Sequence, residues 1–210
     1  MRIGGLQKIS FIDYPQKTAA IIFTQGCNFR CGYCHNPELI YPQLYQIPIF
    51  EEEVFAFLET RKGKLDGVVI TGGEPTLQPD LIDFIKKVKD MGFLVKLDSN
   101  GSNPDILKKL IDAKLIDYIA MDIKAPFDKY NLVCGVSVNI DNIKKSIELI
   151  KNSGIGFQFR TTYDKTKLID NDIQIMTDFL DVSTHYKIQK CNEASKFERW
   201  ERRDASTSSA

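Results

Sequence analysis

Ala19-Ala20-Ile21-Ile22-Phe23-Thr24 runs into Gln25-Gly26-Cys27-Asn28-Phe29-Arg30-Cys31-Gly32-Tyr33-Cys34, and the junction of an apolar run with a cysteine-rich turn decides how the rest of the chain reads. The apolar run reads as a strand, and the cysteines follow directly at its carboxyl end. Downstream, short apolar runs alternate with segments of helical period roughly every 25 to 35 residues, the rhythm of βα units around a parallel sheet. The predicted strands are Ala19–Thr24, Gly67–Thr71, Phe93–Asp98, Asp117–Met121, Ile155–Thr162 and Thr184–Ile188.

Helical stripes lie between them. Ile106, Leu107, Leu110 and Ile111 form one, and Ile140, Ile143, Ile147 and Ile150 step by three and four along another. Phe50–Thr60, Asp80–Met91 and Asp170–Leu180 are the remaining helices. Asn103 before Pro104 reads as an N-cap and first-turn proline, and Pro79-Asp80 as a similar entry. Six such units fall short of a closed eightfold barrel of about 250 residues. The expected fold is α/β, a partial, open TIM-type barrel with parallel strands. Residues 1–195 would form that domain. Beyond Ser195, Lys196-Phe197-Glu198-Arg199-Trp200 and a Ser/Thr-rich end lose the alternation, so 196–210 reads as a mobile or loosely docked tail with Trp200 as its anchor.

A chain of 210 residues with 43% hydrophobic content holds one substantial core and is too short for two ordinary enzyme domains. Its 28 basic and 28 acidic residues form no long run of either sign, which disfavours a nucleic-acid partner. Met1-Arg2-Ile3-Gly4-Gly5 lacks a signal-peptide core, and the longest apolar stretch, Ala19 to Phe23, is far below the roughly 18 residues that span a bilayer. A cytoplasmic protein away from the membrane is expected. There, five cysteines, three of them within eight residues, point to metal or redox chemistry rather than disulfides.

Cys27, Cys31 and Cys34 are spaced C-x3-C-x2-C and sit at the mouth where βα proteins place their chemistry. One loop can thus wrap three corners of an iron-sulfur cubane with thiolates. The fourth iron then lacks a protein ligand, an opening that a reactive cluster needs and that S-adenosylmethionine (SAM) can fill through its amino and carboxylate groups. Structural zinc is the alternative, since His35 completes a nominal Cys3His set. Adjacent Cys34 and His35 would chelate poorly, however, and zinc ligands usually come as two separated pairs. A redox pair of Cys31 with Cys34 would leave Cys27 without a role. Cys134 and Cys191 lie outside any ligand spacing and read as buried small hydrophobes rather than a second metal site.

In these residues the sequence resembles the radical SAM superfamily, whose motif carries an aromatic before the third cysteine, here Tyr33. The resemblance implies a 4Fe-4S cluster on the three cysteines, SAM as cofactor, and Tyr33 near the adenine. Thr71-Gly72-Gly73-Glu74-Pro75 ends the second predicted strand, where two glycines would let backbone approach a ligand closely, or simply make a strand-to-helix turn. It resembles the family's GGE element, which implies contact of Gly72, Gly73 and Glu74 with the methionine amino group.

Leu97-Asp98-Ser99-Asn100-Gly101 and Ala120-Met121-Asp122-Ile123-Lys124 bring two carboxylates and a lysine to the same mouth. They could orient a zwitterionic ligand, or cap loops and pair with one another. Resemblance to glycyl-radical activating enzymes implies that Asp98, Ser99, Asp122 and Lys124 help hold SAM, the lysine at its carboxylate, with a monovalent cation near the aspartates. Arg160 could fix a carboxylate or ribose, or face solvent. Strand period puts Arg160 and Gln158 on one face and Phe157 and Phe159 on the other.

Lys8-Ile9-Ser10-Phe11-Ile12-Asp13-Tyr14-Pro15, Ile22 to Cys27, and Cys34-His35-Asn36-Pro37-Glu38-Leu39 narrow the likeness to the anaerobic ribonucleoside-triphosphate reductase activating proteins. It extends to about Thr162, with two departures: Gln16 stands where the family has glycine, and Tyr163-Asp164-Lys165 replaces a Val-Pro-Gly region. The likeness implies a glycyl radical made on a large partner reductase, with flavodoxin or ferredoxin as electron donor. An open barrel side suits a macromolecular loop. Its rivals are small-molecule chemistry of the 7-carboxy-7-deazaguanine synthase kind and a non-enzymatic iron-sulfur or zinc module; the module would leave the GGE-like element and the Asp/Lys pair unexplained.

Overall fold

The computed structural model describes residues 1–181 and 185–191. Seven strands form one sheet in chain order: β1 (Ile3–Tyr14), β2 (Lys17–Thr24), β3 (Gly67–Gly72), β4 (Leu94–Ser99), β5 (Tyr118–Asp122), β6 (Gly156–Tyr163) and β7 (Tyr186–Lys190). β1 pairs antiparallel with β2, and every later pair is parallel. The crossovers carry α1 (Glu51–Glu59), α2 (Leu81–Asp90), α3 (Pro104–Asp112), α4 (Tyr130–Cys134), α5 (Ile140–Lys151) and α6 (Asp170–Leu180). This is the expected open βα barrel of six parallel strands. Thr184, the expected start of β7, lies outside the described residues, as do the boundary at 195, Trp200 and the tail 196–210.

β1 is the strand that periodicity does not announce. Its pairing with β2 shifts register between Ile3 and Gly5, Gln7 and Ser10, and Ser10 and Tyr14, and each irregularity breaks the alternation a strand would otherwise display. Phe11 and Ile12 are 70% and 88% exposed, so this edge also carries apolar residues on the wrong side for a simple pattern. Gln16 closes the hairpin at φ 59°. That is the left-handed backbone for which glycine is the usual choice.

Two expected caps are occupied otherwise. Asn103 precedes α3 but makes no capping bond; its side-chain amide donates to the Thr76 carbonyl at 3.1 Å. Asp80 precedes α2 and instead pairs with the amino group of Met1. In both places a long-range partner wins over the local one.

Alternate residues of β2 serve two cores. Ala20 and Ile22 join the main cluster between sheet and helices, with Leu58, Phe84, Leu107 and Phe159. Ala19 and Ile21 join Tyr14 and Val69 in a second cluster, against which Phe23, Leu94 and Tyr118 pack. Burial on both faces accounts for the unbroken apolar run from Ala19 to Phe23. The carboxyl ends of β2 to β6 are left facing one mouth.

Candidate functional site

The loop after β2 is held by its own arginine. Arg30 donates through Nη1 to the Cys27 and Phe29 carbonyls (2.7 and 2.8 Å), and its guanidinium lies 5.3 Å from the Tyr41 ring centre. Phe29 is buried, and the Cys34 N–H returns to the Cys31 carbonyl at 3.0 Å. Held this way, Cys27, Cys31 and Cys34 line one cavity of about 410 Å³ together with Tyr33 and His35. Burial pushes the Cys27 thiol up to about 12 and the Cys34 thiol upward as well. Cys31 goes the other way: a hydrogen bond with Cys134 outweighs burial and brings it to about 6.

The donor set suits an iron-sulfur cluster better than one ion. Among the described residues no three His, Cys, Asp or Glu side chains come close enough together to hold a metal ion. Zinc with sulfur at about 2.3 Å needs its thiolates about 3.8 Å apart, whereas a cubane spreads them across its corners. Three thiols lining one cavity are the donor type that an iron-sulfur cluster takes. His35 faces the same cavity without completing a single-ion site.

At the end of β3, Gly72 and Gly73 answer to neighbouring backbone. Gly72 has φ 114°, and a Cβ there would lie 2.3 Å from Thr24 N; one at Gly73 would lie 2.0 Å from the Gly26 carbonyl oxygen. The Gly73 and Glu74 N–H groups donate to the Thr24 and Gly26 carbonyls (2.9 and 2.7 Å). These glycines let β3 clamp the start of the cysteine loop, and both also line the cavity.

Glu74 is fully buried, and its carboxylate is used up internally. Thr76 N–H and hydroxyl donate to Oε1 at 3.1 and 2.5 Å, Ser99 Oγ donates at 2.9 Å, and Asn100 N–H donates to Oε2 at 2.6 Å. Burial pushes its pKa up while these donors pull back. Glu74 and Ser99 thus tie β3 to β4. The Asn100 side chain extends this tie, donating to Asn28 Oδ1 at 2.8 Å within the cysteine loop.

Asp98, Asp122, Lys124 and Arg160 meet on the concave wall. Arg160 Nε donates to Asp122 at 2.9 Å and Nη1 to Asp98 at 3.1 Å; Lys124 Nζ lies 3.1 Å from Asp122 and 5.9 Å from the Tyr33 ring centre. Burial alone would raise Asp122, but Arg160 and Lys124 outweigh it and hold the carboxyl at about 2. Against desolvation, Asp122 holds Lys124 protonated, and Asp122 with Asp98 holds Arg160 protonated. Arg160 therefore faces inward, on the side of Gln158, while Phe159 packs in the outer core.

Sequence reasoning missed Lys96, which is buried and paired with Asp98. Strand period could have found it, because it stands two residues before Asp98 on the same face. Three cations against two carboxylates leave this wall net positive. The expected monovalent cation finds no support here, since both aspartates already have cationic partners. Asp13, Thr71, Thr162 and Gln189 also line the cavity, Asp13 and Gln189 coming from β1 and β7 at opposite sheet edges. Nothing local in the sequence marks those two.

Residues 21–167 match the family model described as the radical SAM superfamily. A protein of Methanocaldococcus jannaschii that carries the provisional name glycyl-radical enzyme activating enzyme is 36% identical over 90% of this chain and 79% of its own length. The 7-carboxy-7-deazaguanine synthase of Methanopyrus kandleri is 34% identical over 55% of this chain, which spans only 52% of that enzyme. Among solved structures, SuiB of Streptococcus suis with S-adenosylmethionine bound superposes with a TM-score of 0.66 at 18% identity, covering 84% of this chain and 41% of SuiB. That likeness is one of fold.

Proposed function

This chain belongs to the radical SAM superfamily and is an enzyme of that class, and we propose from this premise that it activates a glycyl-radical enzyme, with anaerobic ribonucleoside-triphosphate reductase as the target. The observation that carries the reading is the cavity shared by the cysteine loop, the β3 clamp and the charged concave wall. Cys27, Cys31 and Cys34 would hold a 4Fe-4S cluster, and Tyr33 would flank the adenine. When bound, the cluster and SAM together supply a 5'-deoxyadenosyl radical, which takes a hydrogen atom from a substrate carbon.

The chain's own residues do the rest. Gly72 and Gly73 keep the loop pinned to β3 and leave backbone facing the ligand. Glu74 and Ser99 act through position, holding the β3 and β4 ends at a fixed distance. Lys124 offers a cation at the height of Tyr33, suited to the carboxylate of SAM, and Arg160 braces Asp98 and Asp122 so that their charge stays on the wall. A preset polar wall of this kind needs little reorganisation when a zwitterion arrives.

The partner would be a large reductase that offers a glycine-bearing loop to the gap between the sheet edges, with flavodoxin or ferredoxin as electron donor. The M. kandleri relative keeps a small-molecule substrate as the second reading.

The deciding experiment is anaerobic: reconstitute with iron and sulfide, reduce, add SAM, and quantify 5'-deoxyadenosine and methionine, then repeat with the reductase and look for a glycyl radical by electron paramagnetic resonance. Cleavage with a radical on the reductase supports the proposal. Cleavage without one turns the assignment toward another glycyl-radical partner or a small molecule, and cleavage in neither arm removes the cluster reading.

A further inference from the structure

A second, smaller cavity of about 170 Å³ is lined by Lys8, Ile9, Arg61, Lys64 and Leu65, and it shares no residue with the first. Leu65 stands just before β3 begins, at the amino end of that strand, whereas Gly72 and the mouth lie at its carboxyl end. Three of the five lining residues are cations and none is a carboxylate. They come from separate segments, Lys8 from β1 and the other two from the turn after α1. That turn is fixed by the Arg61 carbonyl, which accepts from the Lys64 and Leu65 N–H groups at 2.9 and 3.1 Å, and by the buried Leu65 side chain. Phe57 steadies two of the cations: Lys8 Nζ lies 5.9 Å and Arg61 Cζ 5.0 Å from its ring centre. Among the described residues none of the three forms an ion pair, and the neighbouring Glu59 is taken by Lys62 at 2.8 Å. Lys64 Nζ reaches only the Thr60 carbonyl, at 3.3 Å, and Arg61 Nε is buried without a hydrogen-bond partner.

Three like charges around one hollow repel one another, and a concave cluster of one sign concentrates counter-ions. An anion seated there relieves the repulsion and gives the guanidinium the acceptor it lacks. We propose that this pocket at the base of the sheet is a binding site for a phosphate-bearing anion, either free phosphate or diphosphate or the terminal phosphate of a nucleotide. The planar fork of Arg61 matches the oxygens of phosphate or carboxylate in pairs, while the two lysines add point charges. Charge decides between those ligands: a phosphate group carries close to two negative charges near neutral pH and a carboxylate one, so three cations are better matched by phosphate. The volume is below the roughly 300 Å³ at which pockets for drug-sized ligands begin, which suits a small anion or the end of a larger molecule. The site is separate from the cysteine loop and stands whether or not the cluster reading holds.

The test is isothermal titration calorimetry of the full chain in a low-salt chloride buffer with inorganic phosphate, diphosphate, ATP and acetate. One phosphate or diphosphate per chain, with acetate much weaker, is the expected result. ATP binding at least as tightly as diphosphate assigns the source to a nucleotide, and much weaker ATP binding assigns it to the free anion. Arg61→Gln should lower the affinity about tenfold, and Lys8→Gln and Lys64→Gln about three- to tenfold each. Lys8 and Lys64 are exposed, so their variants carry the comparison if Arg61→Gln folds poorly. Lys62→Gln, which removes a cation outside the pocket, should leave binding unchanged. Absence of saturable binding overturns the proposal, as does acetate binding as tightly as phosphate. Equal weakening by Lys62→Gln overturns it too, since that marks diffuse attraction to a basic surface rather than a site.

Discussion

Glu74 is surrounded by four donor groups that all point at one carboxylate. Glu74→Gln replaces an acceptor oxygen with an amide that must face one of those donors, and leaving buried polar groups mismatched costs about 1–3 kcal/mol. Denaturant unfolding should therefore show a clear loss of stability, and an unchanged midpoint would argue against the strap. Asp122 makes a pH prediction. Its carboxyl is held at about 2, below the ordinary 3.8, so its ion pairs are fully present above about 4 and are lost as pH falls through 2. A carboxyl resonance titrating near 2 in the folded protein would confirm the depression; one near 3.8 would refute it. The side chain is 32% exposed, so water weakens what the pairs add to stability. Lys124→Ala should weaken SAM binding in equilibrium dialysis while iron content stays constant. At this scale the three cysteines and the Asp/Lys pair are legible because each stands at a strand end in a recognisable spacing. Lys96 escapes because a single lysine in an apolar strand looks like a surface residue. The inward use of Glu74 escapes because only the fold brings Ser99 and Asn100 to it.

Among elements, the clamp between β3 and the cysteine loop makes a sharp demand. Gly73→Ala places a methyl 2.0 Å from the Gly26 carbonyl oxygen, so the loop must move. The expected result is a chain whose far-ultraviolet circular dichroism persists while iron uptake falls several-fold; full uptake would show that the clamp is dispensable. The end of α3 offers the opposite change. Lys114 sits at φ 52° after the helix, with Lys114 N–H donating to Ile111 O and Leu115 N–H to Leu110 O at 2.9 and 3.0 Å. These are the bonds of a left-handed C-cap that glycine fills best, so Lys114→Gly should stabilise by about 1 kcal/mol in chemical unfolding. The parallel strands and long helices were readable because their periods run uninterrupted. β1 was not, because its register shifts scramble the period of two and its pairing to β2 rather than its composition makes it a strand.

For the molecule as a whole, the sheet runs in chain order, so each unit touches mainly its neighbours and the cavity is the place where distant units meet. Cys27→Ala, Cys31→Ala and Cys34→Ala should each abolish reductive SAM cleavage in the reconstituted protein, since losing one thiolate leaves the cluster with too few anchors. Retained cleavage in all three would sink the assignment. No helix among the described residues is long and apolar enough to cross a membrane. The interlock of Gly73 with Gly26 and of Gly135 with Arg30 also sets a limit for protein engineers. The cysteine loop is not a portable cassette: transplanted into another βα scaffold it would arrive without the two backbone surfaces that mould it, so a working graft must carry the ends of β3 and α4 along with it.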